Sequence, residues 1–203
     1  SCPTRSSPAS TPAGFSTKSW NARNGAISRR SSRTLDYSFT DFCTAQLAKA
    51  LGKTPDYEFF LKRSNNWKNQ FNSELKWQMP RDSKGNWKTD NNLFSGELWS
   101  EGNAWQYVWF VPQNIPELVN LLGGKESFYL KLDSLFSTEE AVRGEEASPD
   151  ISGLIGQYAH GNEPSHSTAY FFNECGQAWR TQELVRFIQT TMYYNGVEGI
   201  CGN

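Results

Sequence analysis

The chain has 203 residues, enough for one domain with a proper core, and its 20 basic and 21 acidic side chains leave a formal net charge of −1. That balance points neither to nucleic acid nor to an anionic membrane surface, and no run of about 18 apolar residues exists to span a bilayer. Aromatic content is high, with 13 Phe, 8 Tyr and 8 Trp; besides core packing, flat rings suit the apolar C–H faces of sugars.

Residues 1–33 are rich in Ser, Pro, Thr and Arg and short of large aliphatics, so they are expected to form a disordered tail. Helix is predicted from Leu35, because Leu35, Phe39, Cys43, Leu47 and Leu51 recur every fourth position and Gly52 offers a C-cap. Cys43 on that stripe reads as a free, buried thiol, and the spacing of Cys2, Cys43, Cys175 and Cys201 argues against zinc. Thr54-Pro55 reads as an N-cap and first helical proline, with Tyr57, Phe60, Leu61, Trp67 and Phe71 as the apolar face of a second helix. Together these two make an αα-hairpin. Residues 73–98 form a long loop punctuated by Pro80, Gly85 and Gly96. Helical spacing returns at 104–110, 115–122 and 126–136. After an acidic, solvated loop at 139–150, helices are predicted at 151–159 and 164–173, then a last one capped by Thr181 with Leu184, Val185, Ile188 and Met192 as its stripe. No strand pair is evident. The fold class is therefore all-α, and long loops between helix pairs favour a toroid over a solenoid.

Three polar clusters interrupt this pattern: Arg81-Asp82, Glu101-Gly102-Asn103, and His160-Gly161-Asn162-Glu163-Pro164-Ser165-His166. Glu101, flanked by Trp99, Trp105 and Tyr107, has the neighbours that would desolvate a carboxyl and keep its proton, as a general acid requires; a solvated Glu at a helix N-terminus explains it as well. The third cluster holds both histidines of the chain. They are six residues apart without an HExxH arrangement, which disfavours zinc, while the oxygens of Asn162 and Glu163 suit a hard cation. A solvent-facing capping sequence remains the alternative there. Arg81-Asp82 reads either as a loop brace or as a pair of sugar-hydroxyl partners.

Taken with Arg33-Thr34-Leu35-Asp36-Tyr37, Met79-Pro80-Arg81-Asp82-Ser83, the run from Glu101 to Pro112, Gly123-Gly124-Lys125-Glu126 and the run from Gly153 to His166, the clusters resemble glycoside hydrolase family 92, the calcium-dependent exo-α-mannosidases. The resemblance covers residue 33 to the end. It implies a partial (α/α)6 toroid over residues 34–203, belonging to a parent protein with a β-sandwich domain and further toroid helices. It also implies inverting hydrolysis of terminal α-linked mannose, α-1,2 above all, from a mannose-containing glycan. Glu101 falls on the family's acid, Asn162 and Glu163 on its Ca2+ motif. Trp99, Trp105, Gln106, His160, His166, Arg81 and Asp82 would line the sugar site. Ser167 and Asn114 depart from the usual residues. The family's general base follows the run that here ends at Asn203, so this chain alone is expected to be inactive, and the parent to be secreted or periplasmic. The competing readings are a helical-hairpin scaffold that binds protein, and a mannose-binding remnant without turnover.

Overall fold

A computed structural model describes residues 30–82, 84–88, 92–139 and 151–202. The tail read at 1–33 therefore lies outside the described residues up to 29, as do Ser83 and most of the acidic loop. Residues 30–33, by contrast, belong to the first helix.

That helix, α1, spans Arg30–Ala50, and α2 spans Thr54–Arg63. They form the expected αα-hairpin, closed at Gly52 (φ +67°) and pinned by an Arg63–Asp41 ion pair of 3.0 Å. The face that α1 buries is not the predicted one. Each step of four residues advances about 40° round a 3.6-residue helix, so a strict every-fourth stripe drifts about 160° between Leu35 and Leu51. Leu35 is fully buried, whereas Leu47 and Leu51 are more than half exposed and Cys43 is an exposed free thiol. The buried line instead runs through Ser32, Leu35, Ser38, Asp41, Ala45 and Ala48, small side chains at three- and four-residue spacing that let neighbours approach closely. Thr54 does not cap α2: Lys53 holds that position without a side-chain bond, and no residue of α2 is fully buried. The apolar weight falls just beyond, on Trp67 in the 3-10 helix Ser64–Gln70 and on Phe71.

Phe71–Asn72 (β1) and Trp77–Gln78 (β2) pair antiparallel, with Asn72 Oδ1 accepting from the amides of Glu74 and Leu75 to close the turn. The loop then runs to Asn103, which opens a single turn, α3 (Ala104–Tyr107). Helices α4 (Ile115–Leu122) and α5 (Lys125–Ser137) follow closely on the prediction, and Asn114 caps α4 through Glu117 N. Their inner faces join Trp67, Trp99, Trp109, Phe128, Leu132, Leu135 and Phe172 in one core.

Three predictions fail beyond α5. Residues 151–159 form a hairpin, Leu154–Ile155 (β3) against Tyr158–Ala159 (β4), because the Gly156-Gln157 pair makes a two-residue turn with Gly156 at φ +58°. The 164–173 segment is 3-10 rather than α, as Glu163–Ser165 and Thr168–Cys175. The last helix, α6 (Ala178–Thr191), starts before Thr181, whose buried hydroxyl instead donates to Ala169 O at 2.9 Å, fastening α6 to the turn below it. The chain is thus all-α in class with two small ladders added, the helices packing in successive pairs as part of an α/α toroid would. No helix among the described residues is long and apolar enough to cross a membrane.

Candidate active site

The Glu101 loop is built from beneath by amides. Asn103 caps α3 in a reciprocal box: its Oδ1 accepts from Gln106 N and its own amide donates to Gln106 Oε1, both at 3.2 Å. Its Nδ2 donates to Gln157 Oε1 at 3.1 Å, and Gln106 Nε2 donates to Gln157 O at 3.1 Å. Gln157 in turn hangs on the end of α5, donating its amide to Leu135 O at 2.7 Å and its Nε2 to Thr138 O at 3.4 Å. Asn103, Gln106 and Gln157 are all buried. Gln106, expected in the sugar pocket, is buried in this frame with both ends of its side-chain amide bonded. Gly102 is necessary to this frame: a Cβ there would lie 2.6 Å from Gln106 Oε1 and 3.0 Å from Tyr107 Cε2.

Glu101 stands on that frame in the left-handed region, at φ +58°. This turns its side chain to solvent, so the expected burial against aromatic rings is not found. Trp99 and Tyr107 stack on each other instead, with centroids 5.1 Å apart and planes 13° apart. Trp99 is buried and belongs to the core, not to a sugar wall. Trp105 is half-buried, stacked on Phe94 at 5.5 Å and edge-on to Trp77 at 4.9 Å.

The N-terminal turns of α1 close the other side. Ser32 Oγ accepts from Ser100 N at 3.2 Å, and Tyr107 donates its hydroxyl to Ser100 O at 2.5 Å. One helical turn past Ser32 stands Asp36, a half-buried carboxyl pushed up to about 6, first by burial and then by the charge of Glu101, with Arg33 opposing. Burial also pushes the Tyr107 phenol up, and the charges of Asp36 and Glu101 add to that. Asp36 thus shares a field with Glu101, although only its place in the Arg33–Tyr37 run marked it in the sequence.

The 160–166 loop meets Glu101 directly. Asn162, 1% exposed, donates from Nδ2 to the carbonyl oxygen of Glu101. Its Oδ1 is buried with no hydrogen-bond partner. Glu163 follows with an exposed carboxylate. His160 is held at both nitrogens, Nδ1 by Tyr158 Oη at 2.8 Å and Nε2 by Tyr193 Oη at 2.7 Å. Burial and then the charge of His166 push its imidazole down. His166 contacts His160 O through Nε2 at 2.9 Å, and the two rings lie 5.1 Å apart. Both line an open cavity of about 480 Å³ with Tyr158, Tyr170, Ile188 and Tyr193. The two tyrosines that fix His160 were not singled out from sequence, since they lie 2 and 33 residues away from it.

Arg81 and Asp82 serve their own loop. Arg81 donates to Asn69 O at 2.8 Å and to Gly85 O at 2.7 Å, with its guanidinium 3.4 Å from the Trp87 ring centroid. Asp82 accepts from the amides of Lys84 and Asn86 and from Asn86 Nδ2, which holds its carboxyl below the usual range. Of the two readings, loop brace and sugar partner, these bonds describe the first.

A hard cation wants six to eight oxygens. This chain offers one buried, unpartnered amide oxygen on Asn162 and the neighbouring Glu163 carboxylate, donors of the right chemistry for calcium. No group of three or more His, Cys, Asp or Glu side chains converges among the described residues, so the remaining ligands would be carbonyls, waters or other segments.

A solvent-turned carboxyl on a loop bonded to Asn162, with two cavity-lining histidines on the Asn162 loop, brings together residue types that glycoside hydrolases use. A profile of the glycosyl hydrolase family 92 catalytic domain matches residues 6–203. The chain belongs to that family, and the match reaches well ahead of residue 33, where the sequence resemblance begins. Among solved structures, it is similar to a family 92 α-mannosidase from Bacteroides thetaiotaomicron in complex with mannoimidazole (37% identity, TM-score 0.76, covering 85% of this chain and 24% of that one). It is also similar to an inverting family 92 mannosidase of the same organism (29% identity, TM-score 0.71, 85% and 24% covered). A curated relative, an uncharacterised secreted glycosidase of Arthroderma benhamiae, is 29% identical over 88% of this chain and 24% of its own. The chain spans about a quarter of the length of these relatives.

Proposed function

We propose that this chain supplies the acid side of an α-mannosidase site, in a protein that removes terminal α-linked mannose, α-1,2 above all, from glycans with inversion. The observation that supports it is the direct junction of the two loops: Asn162 donates to Glu101 O and keeps an unpartnered oxygen beside it. Glu101, turned to solvent at the loop tip, would give its proton to the leaving glycosidic oxygen. Asn162 and Glu163 would hold Ca2+, which when bound engages sugar hydroxyls and favours a distorted ring. His160 and His166, fixed by Tyr158, Tyr193 and each other, offer ring edges to the sugar; Trp105 offers an aromatic edge. The reading assigns the general base to no residue of this chain, so binding without turnover is expected of the 203 residues alone. The secreted glycosidase relative supports an exported parent.

The test is calorimetric titration of the chain with mannoimidazole, with and without calcium, alongside a mannose-release assay on an α-1,2-mannobioside. Calcium-dependent binding that Glu101→Gln weakens supports the reading. Absence of binding under both conditions counts against the chain holding a usable subsite. Mannose release by the chain, silenced in Glu101→Gln, would overturn the statement that the base lies elsewhere.

A further inference from the structure

Among the described residues, Glu101 is one of two non-glycine residues with positive φ, the other being Lys76 in the β1–β2 turn. A glutamate has no intrinsic reason to adopt that conformation, which is strained for an L side chain unless its surroundings hold it. The cap box below joins Asn103 to Gln106 and makes no bond to Glu101. What contacts its main chain from the far side is one buried amide, that of Asn162, sixty-one residues on. The orientation of that amide is forced. A carbonyl accepts only, so the NH2 end must face Glu101 O, and Oδ1 must point away from it, where the structure leaves it without a partner.

We infer that Asn162 is the positioning residue of Glu101: its NH2 clamps the main chain in the left-handed conformation that projects the carboxyl, while its oxygen stays available to a ligand. The two ends share one rigid planar amide. A ligand that engages Oδ1 therefore tightens a clamp already formed without it, and holds the Glu101 loop more firmly. This rests on the reading of Glu101 as the acid, but the geometry can be tested without any reaction.

The experiment is NMR on the full 203-residue chain. In the unaltered protein the clamp predicts a cross-relaxation peak from the Asn162 Nδ2 protons to the Glu101 Hα, and a Glu101 HN–Hα coupling in the left-handed range. Absence of that peak in the folded protein overturns the proposal, and needs no variant that might fail to fold. Asn162→Asp keeps the size and the oxygens but puts a carboxylate against the carbonyl. It is expected to speed amide exchange at Gly102 and Asn103 at least tenfold while leaving core amides such as those of Leu132 and Phe172 unchanged. Unchanged exchange at Gly102 and Asn103 in a folded Asn162→Asp protein would overturn the clamp. Calcium chloride is the probe for the oxygen end, with magnesium chloride as control. Slower exchange at Gly102 and Asn103 on adding calcium, lost in Asn162→Asp, supports the coupling. A calcium shift at the Asn162 side chain with no change at Gly102 overturns it. If calcium moves nothing while the metal-free clamp is seen, the calcium reading fails and the clamp stands.

Discussion

Replacing Asp36 by Asn tests whether the Glu101 loop and α1 share an electrostatic field. The carboxyl is raised from 3.8 to about 6, mainly because burial disfavours its charge. A shift of that size corresponds to about 3 kcal/mol at 1.36 kcal/mol per unit. Asp36 is only partly buried, and solvent screening brings the expected effect to about 1–1.5 kcal/mol. The sign follows from proton linkage. Native Asp36 keeps its proton over a range where the unfolded carboxyl has lost it, so stability is fully present below pH 3.8 and falls as pH climbs to 6. Asn carries no such charge. Asp36→Asn should therefore match the parent near pH 3.5 and exceed it at pH 7.5 by about 1–1.5 kcal/mol, or roughly 2–6 °C in Tm for a domain of this size. Differential scanning calorimetry at the two pH values measures this. An equal difference at both, or a variant less stable at pH 7.5, would show that Asp36 bonds specifically as an anion and that desolvation is not what governs it. Glu101→Gln should shrink the gain, because the Glu101 charge is the second cause of the shift.

The frame below Glu101 yields further expectations. Gly102→Ala drives a methyl into a buried amide already bonded at both ends, and should cost about 1–3 kcal/mol in urea unfolding. Gln157→Ala strands Asn103 Nδ2, with an expected loss of about 1–3 kcal/mol and raised amide exchange at Asn103. Thr181→Val keeps shape but leaves Ala169 O without the hydroxyl, so a fall of about 1–2 kcal/mol in urea unfolding should follow. Cys43, exposed and free, should react with a thiol reagent in the native protein.

The helices with a true 3.6-residue apolar pattern were legible: α4 and α5 fall within a residue or so of their expected bounds. The face of α1 was not, because its buried side is mostly Ser and Ala beside Leu35 and Asp41, and periodicity weighs size that this packing does not need. Residues 151–159 were misread because a short apolar run fits helix and strand alike, and only the Gly156 turn decides between them. In the site, the types of residue were visible but not their employment. Gln106 and Trp99 have sugar-binding chemistry, yet Gln106 bonds into the cap box and the Trp99 ring is buried on Tyr107. The bond from Asn162 to Glu101 spans 61 residues, and nothing local announces it.

The hairpin that carries His160 also has a floor. Gly161 N donates to Ser152 O, Gly202 N donates to Ser152 Oγ, and Gly202 Cα lies 3.0 Å from where a Gly161 Cβ would stand. A Cβ on Gly202, at φ +94°, would in turn meet Gly161 O at 2.6 Å. Each is already the smallest residue, so neither can shrink to make room for growth in the other. Such a pair has no compensating substitution. Over evolutionary time the two positions should show little variation and no covariation, invisible to methods that find contacts by correlated change although the two backbones touch.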